Sequence, residues 1–304
     1  MFAKLRSEAT LREKVSFSGI GVHSGITTDV NVYPAQSGTG IVFKRIDVVD
    51  KENIIKLSPE TVIDPTLCTR CVNKNGVSIA VIEHLLAAFR ICEITNAIVE
   101  VNAGEIPIMD GSAIEFVNQF KKVGIITQEA DVPAIVISEP VSVSYNSSRI
   151  SIVPDDECKI SVTLSYDRIN PVLNGNNKYF FKLNGNLTEL AMARTFGWLS
   201  DYDKIRQMGL GKGSSKENTV VINNENNILN EEGLRNPLEL VMHKCLDLIG
   251  DISVIGYDII GSIHGINTSH MINNLLMRKL LKELDKHSVI EENNCYNTLN
   301  YEYA

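Results

Sequence analysis

The chain of 304 residues is 44% hydrophobic and 22% charged, and its formal net charge is −8. This composition fits one large or two ordinary globular domains and excludes a disordered or fibrous protein. The acidic balance and the lack of a basic block argue against a general nucleic-acid binder, while a local basic pocket for one anionic ligand stays compatible with it. Because no apolar run is long enough for a signal peptide or a membrane span, we expect a cytoplasmic protein.

The first half of the sequence predicts strands followed by two helices. VSFSGIGVH, ITTDVNVYPA and GIVFKRID alternate partially between apolar and polar residues, and Gly, Pro and Ser separate them. The latter part of residues 77–94 predicts a helix and residues 96–102 predict a strand. Residues 111–124 predict a second helix, with Ser112 as its N-cap and Gly124 as its stop.

The second half repeats this order. PAIVISEPVSVSY, RISIVP and KISVTLSYD are strand-like. Residues 236–251 predict a helix with Asn236 as N-cap and Pro237 at the first helical position. A strand over 256–265 and a helix over 268–285 follow.

The repeated order predicts two similar α+β domains, 1–128 and 133–304, with a boundary near the polar stretch QEADVP (128–133). His84 lies on the first long helix of one half, and His243 lies on the corresponding helix of the other. If the domains face each other, these histidines could meet at the interface, where ligand sites are favoured.

The helix LVMHKCLDLIGD (240–251) carries three polar residues in register. His243, Asp247 and Asp251 are spaced four apart, so their side chains stack along one face. His243 and Asp247 could bind one metal ion with His84 as a third ligand, or the three residues could form a solvated stripe. Glu83, directly before His84, could take a proton beside such a site, or it could be an exposed surface residue.

Three further motifs favour structural interpretations. Cys68 and Cys71 form a CxxC without the second pair that a zinc knuckle requires, which favours packing or surface cysteines. GLGKGSS (209–215) lacks the G-K-[ST] order of a phosphate-binding P-loop and favours a flexible loop. Asp110, followed by glycine, is typical of a residue that fixes a turn.

His270 stands near the start of the last predicted helix. A helix N-terminus disfavours the imidazolium form, and a carboxylate such as Asp251 would counter that and orient the ring. Thr195 and Phe196 in ARTFGW (193–198) lie outside any clear amphipathic pattern and could line a pocket. The remaining histidines are expected to be structural or surface residues: His23, His264 and His287.

Taken together, these motifs resemble the UDP-3-O-acyl-N-acetylglucosamine deacetylases, zinc enzymes of lipid A biosynthesis. Seven stretches carry the resemblance, in the family's order and over most of the chain: SGIGVHSG (18–25), LCTR (67–70), IEHLLAAF (82–89), EIPIMDGSA (105–113), ARTFGW (193–198), HKCLDLIGD (243–251) and SHMINNLL (269–276).

The resemblance implies two layered α+β domains that pack through their helices, with the active site between them. It implies an enzyme that acts on a UDP-linked acylated amino sugar. A monomer is the default expectation, with no nucleic-acid partner and no transmembrane segment. Zinc would be the cofactor, and Fe²⁺ is compatible with the same ligands. The implied roles are zinc ligands His84, His243 and Asp247, general base Glu83, oxyanion stabiliser and amine-protonating acid His270, its support Asp251, oxyanion donor Thr195, and substrate contacts Phe196 and Lys244.

Two other functions are compatible with parts of the sequence. Another metal-dependent amidohydrolase, such as a peptidase, would more often carry an HExxH motif, which the chain lacks. A non-catalytic acyl-sugar binding protein on the same scaffold would usually have lost a ligand or the base, and all of these are present.

Overall fold

The structure, a computed structural model, describes residues 5–291. Cys295 and the C-terminal tail therefore lie outside the described residues. The strands of the first half are β1 (Ser7–Leu11), β2 (Val15–Ile20), β3 (Thr27–Pro34), β4 (Ile41–Arg45), β5 (Ile54–Lys56), β6 (Arg70–Val72), β7 (Ser78–Ala80), β8 (Ala97–Val101) and β9 (Ile125–Asp131). Its helices are α1 (Glu83–Ile91) and α2 (Ile114–Val123).

The second half is longer and contains more short elements. Its strands are β10 (Ala134–Val136), β11 (Val141–Tyr145), β12 (Ser148–Val153), β13 (Lys159–Thr163), β14 (Lys178–Lys182), β15 (Phe196–Trp198), β16 (Val220–Ile222), β17 (Asp258–Ile260), β18 (Ser262–Ile266) and β19 (Ser288–Ile290). Its helices are α3 (Asn170–Leu173), α4 (Thr188–Ala191), α5 (Tyr202–Gln207), α6 (Glu239–Ile252) and α7 (His270–Lys282).

Each half builds one five-stranded sheet, and the two sheets share one topology. Their strand orders are β2-β3-β8-β4-β5 and β11-β12-β18-β13-β14. In each sheet the first three strands pair antiparallel, the third and fourth pair parallel, and the fourth and fifth pair antiparallel. The α+β class and the repeated order of strands, helix, strand and helix are therefore confirmed.

Helices α1 and α6 join the two halves. They pack directly against each other, while α6 and α7 lie on strands of the second sheet and α2 contacts β2 of the first. Every residue of α6 except Lys244 is buried, so this helix is enclosed on nearly all sides. The three polar residues in register on α6 are thus interior groups, and the solvated-stripe interpretation is wrong.

Two predicted helix starts need correction. Helix α6 begins at Glu239 with Leu238 at the N-cap position, because Asn236 accepts a hydrogen bond from the Leu238 amide in a preceding turn. Ala113, not Ser112, occupies the N-cap position of α2, whereas Gly124 ends that helix with a positive φ as predicted.

The predicted strand over 256–265 is two strands, β17 and β18, which belong to different sheets. Gly261 separates them at a tight contact, where a Cβ would lie 2.7 Å from the Ile137 side chain. The polar stretch near the predicted domain boundary is partly strand β9, which pairs with β1. Within the described residues, no helix combines the length and apolarity that a membrane crossing requires.

Candidate metal centre and active site

Helices α1 and α6 bring three potential metal ligands together where they cross. One ligand atom from each of His84, His243 and Asp247 lies within 4.8 Å of the others. Asp247 Oδ1 is 3.5 Å from His84 Nε2 and 3.3 Å from His243 Nε2. All three side chains are buried, and within residues 5–291 they form the one such cluster.

Neighbouring groups orient two of these ligands. His243 Nδ1 lies 3.1 Å from the carbonyl oxygen of Ala193. Because a carbonyl only accepts hydrogen bonds, Nδ1 carries the proton and the Nε2 lone pair is left for an ion. Lys244 Nζ donates to Asp247 Oδ2 over 2.7 Å, which leaves Oδ1 directed toward the histidines.

The electrostatics of the cluster favour the forms that bind a cation. Burial lowers the pKa of His243 to about 3, although Asp247 opposes this shift, so the ring is neutral at physiological pH. Burial alone would raise the pKa of Asp247, but the neighbouring His243, Lys244 and His84 side chains outweigh it and hold the pKa well below its usual value. Two imidazole nitrogens and one carboxylate oxygen suit Zn²⁺ with a further position for water.

Glu83 is the first residue of α1 and is buried beside the ligand cluster. Its Oε2 accepts a hydrogen bond from the Thr69 amide over 2.9 Å, and its Oε1 lies 3.9 Å from His270 Nε2. Burial raises the pKa of the Glu83 carboxyl above its usual value, although the nearby histidines oppose the shift. A raised pKa makes this carboxylate a better proton acceptor than an exposed glutamate.

His270 and Asp251 form a buried pair next to Glu83. His270 is the first residue of α7, and its Nδ1 lies 2.9 Å from Asp251 Oδ2. Burial alone would lower the pKa of His270, but the Asp251 and Glu83 carboxylates outweigh it and raise the pKa to about 9. With this pKa the ring is a cation at neutral pH, because Asp251 counters the helix start, which disfavours the imidazolium.

The segment ARTFGW lies on the other side of His243. The Thr195 amide donates to the Gly111 carbonyl over 2.7 Å, and the Thr195 carbonyl accepts from the Val220 amide. The Phe196 ring meets the His243 ring at 77° with centroids 6.1 Å apart, and Lys244 Nζ lies 5.5 Å from the Phe196 ring centroid. The structure thus brings Thr195, Phe196 and Lys244 to one flank of the ligand cluster.

Known proteins are similar to this chain over most of its length. A family model described as UDP-3-O-acyl N-acetylglycosamine deacetylase matches residues 8–282. The chain belongs to this family. Relatives named UDP-3-O-acyl-N-acetylglucosamine deacetylase are similar over almost their full length. The Phenylobacterium zucineum protein is 40% identical over 278 residues, which cover 91% of this chain and 94% of the relative. The Legionella pneumophila protein is 39% identical over 281 residues, 91% of each chain, and that of Neisseria meningitidis serogroup A is 36% identical over 289 residues, 93% of each.

Two residues of the matching motifs, Thr69 and Asn273, contact the site residues, although the sequence alone predicted no role for them. Thr69, in the LCTR stretch, contacts both Glu83 and Asp251. Asn273, in SHMINNLL, donates to Asp251 Oδ2 over 2.8 Å. No local pattern points to these contacts, because Asp251 is 182 residues from Thr69 and 22 from Asn273.

A second unanticipated feature is the buried ion pair of Arg194 and Glu239. The Arg194 side chain donates to Glu239 through Nε at 2.8 Å, and the Glu239 carboxylate also accepts from the Arg235 amide at 2.6 Å. Arg194 stands between Ala193, which orients His243, and Thr195. The pair thus ties the start of α6 to the segment that flanks the ligand cluster.

The CxxC pair and Asp110 were both expected to be structural residues. Cys68 and Cys71 are buried free thiols, and burial raises the pKa of Cys71 to about 12, so both pack in the interior as protonated groups. Asp110 accepts hydrogen bonds from the Ser112 amide and hydroxyl and so fixes the turn as expected.

The loop at residues 209–215, expected to be flexible, is instead anchored against SGIGVHSG. The Lys212 amide donates to the His23 carbonyl, and the Gly213 amide donates to the Val22 carbonyl over 3.0 Å. A Cβ at Gly213 would lie 2.3 Å from the Gly21 carbonyl oxygen, so only glycine permits this contact. His264 is exposed and His287 is buried against Ser138, in agreement with structural or surface roles.

Proposed function

We propose that the protein hydrolyses the N-acetyl group of a UDP-3-O-acyl-N-acetylglucosamine and releases acetate and the free amine. The observation that carries the proposal is the buried cluster of His84, His243 and Asp247 with two proton-handling groups beside it, Glu83 and His270. Family membership over residues 8–282 supports the substrate class. This hydrolysis is a step of lipid A biosynthesis.

We propose that His84, His243 and Asp247 hold a Zn²⁺ ion, and that Fe²⁺ is the alternative cation for the same ligands. The fit rests on the short distances among the three ligand atoms and on the neutral, pre-oriented His243 ring. When bound, the ion would polarise the amide carbonyl and lower the pKa of a water in its open position.

Glu83 is the proposed general base. Its raised pKa and its position next to His84 allow it to accept one proton as the water oxygen attacks the acetyl carbon. Thr69 occupies Oε2 of the carboxylate, so Oε1 is the oxygen that receives the proton.

His270 has two proposed tasks after the attack. As a buried cation it stabilises the negative charge that develops on the former carbonyl oxygen. It then gives its proton to the amine nitrogen as the carbon–nitrogen bond breaks, and Asp251 holds the ring in place through Nδ1. The Thr195 hydroxyl is the proposed second donor to the oxyanion.

Phe196 and Lys244 are the proposed substrate contacts. The Phe196 ring is half-buried beside His243 and offers an apolar face to a sugar ring. Lys244 is the one residue of α6 that is not buried, and its ammonium group is the proposed contact for the diphosphate. Its bond to Asp247 means that it supports the ligand cluster as well.

We propose domains over 1–128 and 133–304, a boundary that the separate five-stranded sheets support. A monomer in the cytoplasm is the proposed state, and the free thiols among the described residues support a reducing compartment.

The test is an acetate-release assay on the UDP-linked acylated N-acetylglucosamine with metal analysis of the purified protein. The proposal expects about one Zn²⁺ or Fe²⁺ per chain and one acetate released for each free amine formed. A metal-loaded protein that binds the substrate without releasing acetate would refute the hydrolase and leave the acyl-sugar binding protein. Release of acetate from unrelated N-acetyl compounds at an equal rate would refute the substrate class.

A further inference from the structure

We propose that Thr69 is a positioning residue that locks the general base and the histidine–carboxylate pair into one arrangement. The inference deepens the proposed hydrolysis and rests on it for the roles of Glu83 and His270. Thr69 directly precedes β6 and is 2% exposed. Its backbone amide contacts Glu83, and its side-chain hydroxyl contacts Asp251.

The backbone contact fixes Glu83. The Thr69 amide donates to Glu83 Oε2 over 2.9 Å, so that oxygen is occupied. Glu83 Oε1 is then the free oxygen, and it lies 3.9 Å from His270 Nε2. A carboxylate held at one oxygen cannot rotate about its terminal bond without breaking that hydrogen bond, so the acceptor oxygen stays in one position.

The hydroxyl contact fixes Asp251. Thr69 Oγ1 donates to Asp251 Oδ1 over 2.5 Å and lies 3.4 Å from His270 Nδ1. The other carboxylate oxygen, Oδ2, accepts from His270 Nδ1 and from Asn273 Nδ2. Asp251 is therefore held at both oxygens, and the plane of its carboxylate sets the orientation of the His270 ring.

The two contacts also bridge the two halves of the chain. Thr69 and Glu83 belong to the first half, whereas Asp251 and His270 are 182 and 201 residues further along. The proposed base takes a proton from the attacking water, and the proposed acid gives one to the amine of the same substrate. Their relative position therefore matters as much as either position alone. Thr69 hydrogen-bonds both carboxylates, through its amide to Glu83 and through its hydroxyl to Asp251.

The hydroxyl can be removed without removing the amide. Thr69→Val keeps the shape and the amide bond to Glu83 but deletes the donor to Asp251, and Thr69→Ser keeps the hydroxyl. Thr10→Val is the matched control, because Thr10 is also buried and its hydroxyl donates to the Asn96 carbonyl over 2.7 Å, on contacts outside the candidate site.

The kinetic arm measures acetate release, KM and bound metal for the three variants and the wild type. We expect Thr69→Val to lower kcat by about tenfold to a hundredfold. KM should stay within about twofold and bound metal should be unchanged, because the variant leaves the substrate contacts and the metal ligands in place. Thr69→Ser should regain most of kcat, and Thr10→Val should keep it. An unchanged kcat in Thr69→Val, or equal losses in both valine variants, would overturn the inference.

A spectroscopic arm does not depend on turnover. In zinc-loaded protein labelled with ¹⁵N-histidine, the His270 Nδ1 proton is assigned by its loss in His270→Gln. We expect this signal to shift in Thr69→Val and to stay in place in Thr69→Ser and Thr10→Val, because the hydroxyl shares the Asp251 carboxylate with the ring. An unmoved signal overturns the positioning role, whereas a wild-type protein that releases no acetate refutes the proposed hydrolysis instead.

Discussion

A Cβ atom built on Gly250 would lie 2.0 Å from the carbonyl oxygen of Glu83. Gly250 is in the interior of α6, and Glu83 begins α1, so the backbones of the two helices approach closely at this point. The absence of a side chain at Gly250 is therefore what lets α1 carry Glu83 and His84 up to the ligands on α6.

Gly250→Ala should destabilise the protein and displace the site. Helix propensity favours alanine, but the added methyl group collides with backbone that cannot move aside, which costs about 1–3 kcal/mol or more. We expect a lower Tm and weaker metal binding, measured by thermal unfolding and metal titration. Gly104→Ala is the control, since its Cβ would meet only the end of the flexible Arg45 side chain at 3.2 Å. A wild-type Tm in Gly250→Ala would contradict the close-approach explanation.

His84→Ala and Asp247→Ala should each lose metal and acetate release together. Each change removes one of three ligand atoms that lie within 4.8 Å of one another, and the remaining two cannot enclose an ion as tightly. Metal content after dialysis and kcat are the measurements. Stoichiometric metal with normal turnover in either purified variant would refute the ligand assignment.

Glu83→Ala should separate metal binding from turnover. Glu83 lies beside the ligand cluster without belonging to it, so the variant should keep its metal while kcat falls by about 10²-fold or more. Glu83→Gln tests the same step while keeping the acceptor for the Thr69 amide. Near wild-type kcat in both variants would exclude Glu83 as the main base.

The activity should fall on the alkaline side as His270 loses its proton. Its pKa of about 9 means that the imidazolium is present at neutral pH and is lost as the pH rises through that value. The charged or titratable neighbours that act on the ring are Asp251, Glu83, Asp247 and His23. Because the folded-state pKa is raised, the same proton also stabilises the fold fully below the unfolded pKa of about 6.5, and this contribution disappears as the pH approaches 9.

Asp251→Asn should move that alkaline limb to lower pH. Among the influences that raise the His270 pKa, Asp251 is the largest, and removing a neighbouring opposite charge lowers such a pKa by about 1–3 units. The pH profile of kcat/KM in the variant and the wild type measures the displacement. An alkaline limb at the same pH in both proteins would show that a group other than His270 controls it.

Much of the candidate site could be predicted because its residues follow local periodicity. The four-residue spacing of His243, Asp247 and Asp251 placed them on one helix face before any fold was known. The repeated order of elements paired that helix with the one carrying His84, and the shared sheet topology confirms the repeat. What spacing could not decide was whether this face met solvent or protein, since burial depends on the packing of α1 against α6.

The residues that were missed act through partners far away in the chain. Thr69 has no local pattern that points to Asp251, 182 residues later. Gly250 did carry a signal, because a glycine inside an apolar helix costs roughly 0.5–1 kcal/mol and implies a close approach. The late start of α6 was also missed, because Asn236 accepts from the Leu238 amide in a turn that precedes the helix. The Glu239 carboxylate at that start bonds the Arg235 amide and the remote Arg194 side chain.

Arg194 and Glu239 form an ion pair whose two side chains are both buried. Glu239→Gln leaves the Arg194 guanidinium without its buried counter-charge, although exposed Glu232 still pairs with it. Breaking one side of a buried ion pair costs about 3–5 kcal/mol, so we expect a clear loss in the free energy of unfolding in urea. Because Arg194 adjoins Thr195 and the Ala193 carbonyl that orients His243, kcat should fall as well.

The matched control is Glu232→Gln, which removes the solvent-exposed partner of the same guanidinium. An exposed ion pair contributes about 0–1 kcal/mol, so this variant should unfold close to the wild-type urea concentration and keep its kcat. If the two glutamine variants lose equal stability, the buried carboxylate of Glu239 has no special part in holding the ARTFGW segment. If only Glu239→Gln is destabilised and slowed, the ion pair supports the site from the start of α6.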